Sequence, residues 1–173
     1  MSVNLLVPSN THIGGIPPLV FYDSELPGGA LNSAIPLLVR ASMANIEVRR
    51  VLIDTGASCD IMYTSLFKTL QLTEKNFSPY VGSELYGFNG SSTQPWGYVQ
   101  LLVTFGEEEA KKTISIPFSE IDCPSLYNCI IGRTRLELSA ACSTAHLKLK
   151  YHAKDGIIAS LNGDIKASKR CFL

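Results

Sequence analysis

The residues of this chain best placed to do chemistry are Asp54, Thr55 and Gly56, which follow directly on the apolar run Val51-Leu52-Ile53. The run reads as a buried strand. The Asp-Thr-Gly reads as a tight turn at its end, with Gly56 free to take backbone angles that other residues avoid. Such a turn holds Asp54 at the rim of the core, half desolvated, where a carboxylate is suited to acid–base work. Two such carboxylates sharing one proton can hydrolyse an amide without a metal or a covalent nucleophile. One is ionised and activates water; the other is protonated and polarises the carbonyl. Like charges about 3 Å apart cannot both ionise, so their titration splits and belongs to the pair. On the tripeptide alone, a turn aspartate satisfied by backbone amides stays open beside this reading.

The other reactive side chains form weaker patterns. Cys142 and His146 are four residues apart with His152 nearby, but the stretch reads as strand, where that spacing separates side chains by more than about 10 Å. The chain has no Cys-x-x-Cys pair, so no metal site and no cofactor are expected. Cys59 lies close to Asp54 and is read as an inert thiol rather than a redox handle. Trp96, beside Pro95, reads equally as a cleft residue or as packing at the base of a hairpin.

Composition bounds the partners. At 173 residues the chain holds one domain with a real core plus some extension, and 46% hydrophobic against 17% charged residues is a globular balance. Lys plus Arg equals Asp plus Glu at 15 each, so no basic excess points to nucleic acid. No apolar run approaches the roughly 20 residues of a membrane helix. Residues 1–8 have no basic region and too short an apolar core for a signal peptide. Five scattered cysteines, with no secretion signal, are expected of an intracellular, reducing compartment such as the cytoplasm.

The elements that must position Asp54 follow from patterning. Residues 1–33, rich in Pro, Gly, Ser and Asn, read as a flexible leader in which Leu19-Val20-Phe21-Tyr22 could form an edge strand. Ile35–Ser42 and Ile46–Ile53 read as a hairpin around Met43-Ala44-Asn45. Thr64 or Ser65 can cap a short helix with Leu66, Phe67 and Leu70 on one face. Residues 85–93 read as a glycine-rich hairpin tipped at Asn89-Gly90. Val99, Leu101, Val103 and Phe105, then Ile114, Ile116 and Phe118, alternate as an antiparallel pair with one buried face. Cys129-Ile130-Ile131-Gly132 is a second apolar run ending in glycine. Residues 147–151 and 157–161 read as a last hairpin, and the tail from Lys166 as frayed. The expected organisation is a leader (1–33), a domain (34–143) and a C-terminal hairpin extension with tail (144–173). The fold class is all-β, a small closed barrel of short strands with one or two short helices.

Two half-chains thus share one plan of hairpin, apolar strand, glycine turn and short helix, ending in Ile53-Asp54-Thr55-Gly56 and in Ile130-Ile131-Gly132. This plan resembles the retroviral-type (retropepsin-like) aspartic proteases. More narrowly it is similar to the protease segment of plant gypsy-class retrotransposon polyproteins. The likeness rests on Arg50–Ser58, Tyr86–Gly90, Pro124–Arg133 and Ser143–Lys150, in the order of that family.

The resemblance implies an acid-protease barrel with catalytic Asp54, Thr55 and Gly56. It also implies a flap over the substrate (Tyr86, Gly87, Phe88, Asn89, Gly90 and Ser91) and supporting residues Ala57, Ile131, Gly132 and Arg133. The chain has a single Asp-Thr-Gly, and Ile131 cannot ionise, so the second carboxylate must come from another copy across an isologous interface. The expectation is therefore a homodimeric endopeptidase acting on an extended polypeptide, in the setting of retrotransposon polyprotein processing. No direct nucleic-acid or membrane binding is expected. Viral relatives pair the arginine of the second element with an acid near the catalytic turn; here Ser58-Cys59 stand at that place, and Asp60 is the expected partner of Arg133. Two further readings stay open: a catalytically silent dimer that grips peptides, and an inactive polyprotein fragment.

Overall fold

The computed structural model describes residues 15–87 and 90–172. The chain opens with β1 (Leu38–Met43) and β2 (Ile46–Ile53), followed by β3 (Ile61–Tyr63) and α1 (Thr64–Thr69). Three short strands come next, β4 (Phe77–Ser78), β5 (Leu85–Tyr86) and β6 (Ser92–Thr93). The long pair β7 (Gly97–Phe105) and β8 (Lys112–Ile121) and then β9 (Cys129–Ile131) complete the central part. The last elements are β10 (Ala140–Ser143), β11 (Lys148–His152), β12 (Ile158–Asn162) and α2 (Ile165–Phe172).

The strands run in the order β1-β2-β9-β3-β8-β7, and β7 returns to β1 through Ser42↔Thr104 and Met43↔Val103, so six strands close into a barrel; β4 pairs with the other end of β7, at Tyr98 and Val99. Closure removes the open edges that a small sheet would otherwise expose. The alternating residues Val99, Val103, Phe105, Ile116 and Phe118 all point inward and are buried, as the period-2 pattern requires. Leu66 of α1 and Leu70 just past its end join this core, and Phe67 stacks on Phe77 with ring centroids 4.9 Å apart.

The β1–β2 hairpin turns on Ala44 and Asn45, both at positive φ (47° and 62°), the backbone of a two-residue turn that matches strand twist. The register then slips. Val39 faces Val51, but Ala41 faces Val48, so β2 carries one extra residue at Arg49-Arg50, with Arg50 at φ 53°. This bulge decides which way Asp54 points. With unbroken alternation Val48 would share its face with Asp54; the extra residue instead places Val48, Val51 and Ile53 in the core and turns Asp54 away from it.

A second layer covers the barrel. β10, β11 and β12 form a three-stranded antiparallel sheet, and Leu149, Tyr151 and Ala159 reach from it into the barrel core. The Tyr151 hydroxyl donates to the Ala110 carbonyl at 2.7 Å. The other face of β11 is gripped by residues 17–25, which the sequence places in a flexible leader. Phe21 is buried, the Lys150 ammonium donates to Val20 O (2.8 Å) and to Glu25 (2.6 Å), and His152 Nε2 meets Pro17 O at 2.6 Å. The docking rests on contacts about 130 residues apart in sequence, which local composition cannot reveal.

Two further expectations change. The tail from Lys166 is helical, because the Asp164 carboxylate caps α2 through the Ala167 amide at 2.9 Å. Residues 142–146 are not a continuous strand. They enter a hairpin turn in which Ser143 Oγ and His146 Nδ1 are 2.7 Å apart, both buried. Among the described residues, no group of three potential metal ligands assembles and no helix is long and apolar enough to cross a membrane.

The Lys150–Glu25 contact yields a test. Burial raises the Glu25 carboxyl, but the Lys150 hydrogen bond, the Tyr22 amide and the Lys150 charge outweigh it and leave it below its ordinary value of 4.5. A lowered carboxylate stabilises the fold above its unfolded value, and that contribution is lost as pH falls through the lower folded value. Glu25→Gln should therefore cost about 2 kcal/mol at neutral pH. The variant's thermal stability should converge on the parent's in acid below pH 4.5, where the parent loses the same contact.

Candidate active site

The loop from Asp54 to Asp60 is held by one strand on both sides. β9 runs parallel to β2 (Leu52↔Ile130, Ile53↔Ile131) and antiparallel to β3 (Ile61↔Ile130, Met62↔Cys129), so it lies between the strand entering the loop and the strand leaving it. The sequence brings this about by matching two short apolar runs, Val51-Leu52-Ile53 and Cys129-Ile130-Ile131, whose inward residues Val51, Ile53, Cys129 and Ile131 are all buried. The ladder ends on the Asp54 amide, which donates to Ile131 O at 3.0 Å.

Beyond that bond the chain turns. The Ala57 amide donates to Asp54 O at 3.3 Å, and the Gly56 amide donates to Asp54 Oδ1 at 2.9 Å. The Asp54 side chain is thus half-buried and oriented by its own turn, while Thr55 and Gly56 are exposed on the outer side. Among the described residues the second carboxylate oxygen has no hydrogen-bond partner. The arrangement presents one oriented carboxylate, with an open neighbouring position, on an exposed face.

Gly132 closes the site from below. A Cβ there would lie 2.5 Å from Ala57 O and 2.8 Å from Cys59 O, so the loop backbone sits directly on the glycine. The expected Asp60–Arg133 pair does not form. Asp60 is buried and accepts from the Gly132 amide at 2.8 Å and from the Thr134 hydroxyl, whereas Arg133 is exposed and makes no ion pair among the described residues. The physical reason is direction: Asp60 immediately precedes β3 and points inward at the β9 exit, and the guanidinium one residue past Gly132 points outward.

Asn128 is a residue that the sequence reading did not single out. Its amide donates to Arg50 O at 3.1 Å and its side chain to Arg49 O at 2.6 Å, so it pins the bulge that sets the facing of Asp54. No local signal marks it, because its side-chain partner Arg49 lies 79 residues away.

The structure therefore brings together Asp54, Thr55, Gly56, Ala57, Ile131 and Gly132, and leaves Arg133 at the rim. Of the residues expected to form a flap, Tyr86, Gly87, Gly90 and Ser91 belong to a two-stranded ribbon (Leu85↔Thr93, Tyr86↔Ser92) that joins no other strand among the described residues, with the Gly87 amide donating to Ser91 O at 2.9 Å. Tyr86 is exposed, as is Trp96 at the ribbon's base, so of its two readings the packed one does not hold. Phe88 and Asn89 lie outside the described residues. Two thiols adjoin the loop, and burial, then the charge of Asp60, raises both Cys59 and the fully buried Cys129 above an ordinary thiol, which disfavours the thiolate. A groove of about 1040 Å³ lies elsewhere, between β1 and β12, and none of the Asp54 loop lines it.

No protein-family model and no curated protein sequence matches the chain. Solved structures do. The retroviral protease-like domain of Ddi1 from Leishmania major superposes with a TM-score of 0.54 at 18% identity, covering 78% of this chain and 94% of that domain. EIAV protease, solved with the inhibitor HBY-793, matches with a TM-score of 0.44 at 21% identity over 62% of this chain and 92% of its own. A retropepsin-like aspartic protease from Rickettsia conorii matches with a TM-score of 0.47 at 15% identity over 64% and 86%. At these identities the likeness is one of fold: the closed barrel is the retropepsin-like barrel.

Proposed function

We propose that the chain is an aspartic endopeptidase whose active site forms between two copies. The observation that carries this reading is the asymmetry of the clasped loop. β2 ends in Asp54 and its parallel partner β9 ends in Ile131 and Gly132, so each chain offers one oriented carboxylate and a place without one. A two-fold axis beside Thr55 and Gly56 sets Asp54 of one copy against Asp54 of the other.

The chemistry then follows with protons in balance. The ionised Asp54 takes a proton from water as the water oxygen bonds to the scissile carbonyl carbon. Asp54 of the second copy gives its proton to the carbonyl oxygen, leaving a neutral diol. In the second step the first carboxyl returns its proton to the departing amine as the C–N bond breaks. A diol hydroxyl passes its proton to the second carboxylate, and the pair regains its single proton. Neither step needs a metal or cofactor. The polypeptide would lie extended beneath the β5–β6 ribbon, adding a strand to it. Its source, by the order of the motifs, is a retrotransposon-type polyprotein.

The test is a peptide-library cleavage assay on the purified chain, with sedimentation at the same concentrations. Cleavage that rises with the dimer fraction and is lost in Asp54→Asn supports the reading. A chain that stays monomeric and inactive at every concentration contradicts it.

A further inference from the structure

Asp60 is an acidic side chain that ties the two halves of the clasp together. It closes the 54–60 loop on the β3 side, lies 5% exposed, and binds the Gly132 amide and the Thr134 hydroxyl across the β9 exit. Its own carbonyl accepts from the Ser119 amide at 2.9 Å, which fixes the residue to β8 as well. The Gly132 turn it holds is the surface on which Ala57 O and Cys59 O rest. The height of the Asp54 loop over β9 is therefore set at two points, the Ile131–Asp54 backbone bond and the Asp60 carboxyl.

We propose that Asp60 is a positioning residue of the proposed protease site, anchoring the Gly132–Thr134 turn so that the Asp54 carboxylate is presented at a fixed height to the second copy. The proposal rests on the homodimeric protease reading for its catalytic consequence, but not for its structural one. A carboxylate suits the task because it accepts from both an N–H and an O–H at once. A site that requires two carboxyl groups to meet across an axis is sensitive to displacements of about 1 Å.

The surroundings of this carboxylate do not favour its charged form. The titratable groups acting on or acted on by Asp60 are Glu137, Cys59 and Cys129, and among the described residues it has no ion-pair partner. Burial raises it above its ordinary value of 3.8; the Thr134 and Gly132 bonds offset this in part, and the Glu137 charge adds to it. A raised carboxyl contributes stability in acid and loses it as pH rises through the folded value. Asparagine at this position would avoid that loss. It would still accept from Gly132, and it would donate to Thr134.

The experiment compares Asp60→Ala, Asp60→Asn and Thr134→Val with the parent in peptide cleavage. Amide hydrogen exchange at Gly56 and Ala57 and the pH titration of the Gly132 amide resonance are followed in the same proteins. Asp60→Ala should lower kcat at least about tenfold with KM within about twofold, and speed exchange at Gly56 and Ala57 at least about tenfold. Asp60→Asn, which preserves the fold if the alanine variant does not, should keep kcat within about threefold, and its Gly132 amide should lose the acid titration that the parent shows. Thr134→Val should fall between the two. A parent-like kcat and parent-like exchange in Asp60→Ala overturn the proposal, as does a Gly132 amide that does not titrate in the parent. If no protein in the series cleaves peptide, the protease reading fails, and exchange with the amide titration still decides the role of Asp60.

Discussion

Asp54→Asn is expected to abolish peptide cleavage while leaving fold and association intact. The asparagine is isosteric, and its Oδ1 can still accept from the Gly56 amide as the aspartate does. What it cannot do is take a proton from water. General acid–base catalysis contributes roughly 10² to 10⁴-fold to an enzymatic rate, and in a symmetric dimer the substitution removes both members of the pair at once. The fall in kcat should therefore lie at or beyond the upper end of that range, with thermal stability close to the parent's. Because Asp54 is half-buried and its second oxygen has no partner among the described residues, nothing in the single chain depends on its charge. A variant that unfolds would contradict that account of the site, and a variant that cleaves as fast as the parent would contradict the mechanism.

Gly132→Val should have the largest effect on stability. The glycine lies at φ −101°, outside the left-handed region, and what it supplies to the loop is space. A Cβ would meet two backbone carbonyl oxygens, at 2.5 and 2.8 Å, which cannot swing aside as a side chain would. To admit it the 57–59 loop must lift from β9, straining the Asp60–Gly132 and Asp54–Ile131 bonds together. Overpacking of this kind costs about 3 kcal/mol, a fall in Tm of about 6–12 °C for a chain of this length. Thermal unfolding measures it directly. Gly132→Ala should show the same effect at smaller size, and a Gly132→Val protein as stable as the parent would show that the loop does not bear on the glycine.

Much of this architecture is legible in the sequence, for reasons that can be named. Val99 to Phe105 and Ile114 to Phe118 alternate cleanly because one face of a closed barrel is solvated, and the structure pairs them as expected. That Ile53-Asp54 and Ile131-Gly132 are corresponding strand ends is readable because buried short strands are written as compact apolar runs ending in glycine or turn residues; that the two strands pair side by side is not. What is not legible depends on distant partners. The bulge at Arg49-Arg50 coincides with a break in the alternation of Ile46 to Val51, but what holds it there is Asn128 from another element. Residues 17–25 look like linker by composition, yet Phe21 and Glu25 are captured by β11. Asp60 reads as a candidate for the nearest arginine because sequence gives charge without direction; its inward orientation gives it to an amide and a hydroxyl instead. The capped α2 is a different case, since Asp164 is a sound N-cap signal that the polar, lysine-rich run after it obscures.

The proposed mechanism draws its two working carboxylates from two chains, and subunit mixing decides whether it does. Parent protein at fixed concentration is equilibrated with a ninefold excess of Asp54→Asn, and peptide cleavage per parent chain is measured. If the site is shared, random exchange leaves only about a tenth of parent chains facing another parent, and activity should fall to about that fraction. Activity per parent chain that stays unchanged, under conditions where exchange is complete, would place the whole active site within one copy and contradict the account.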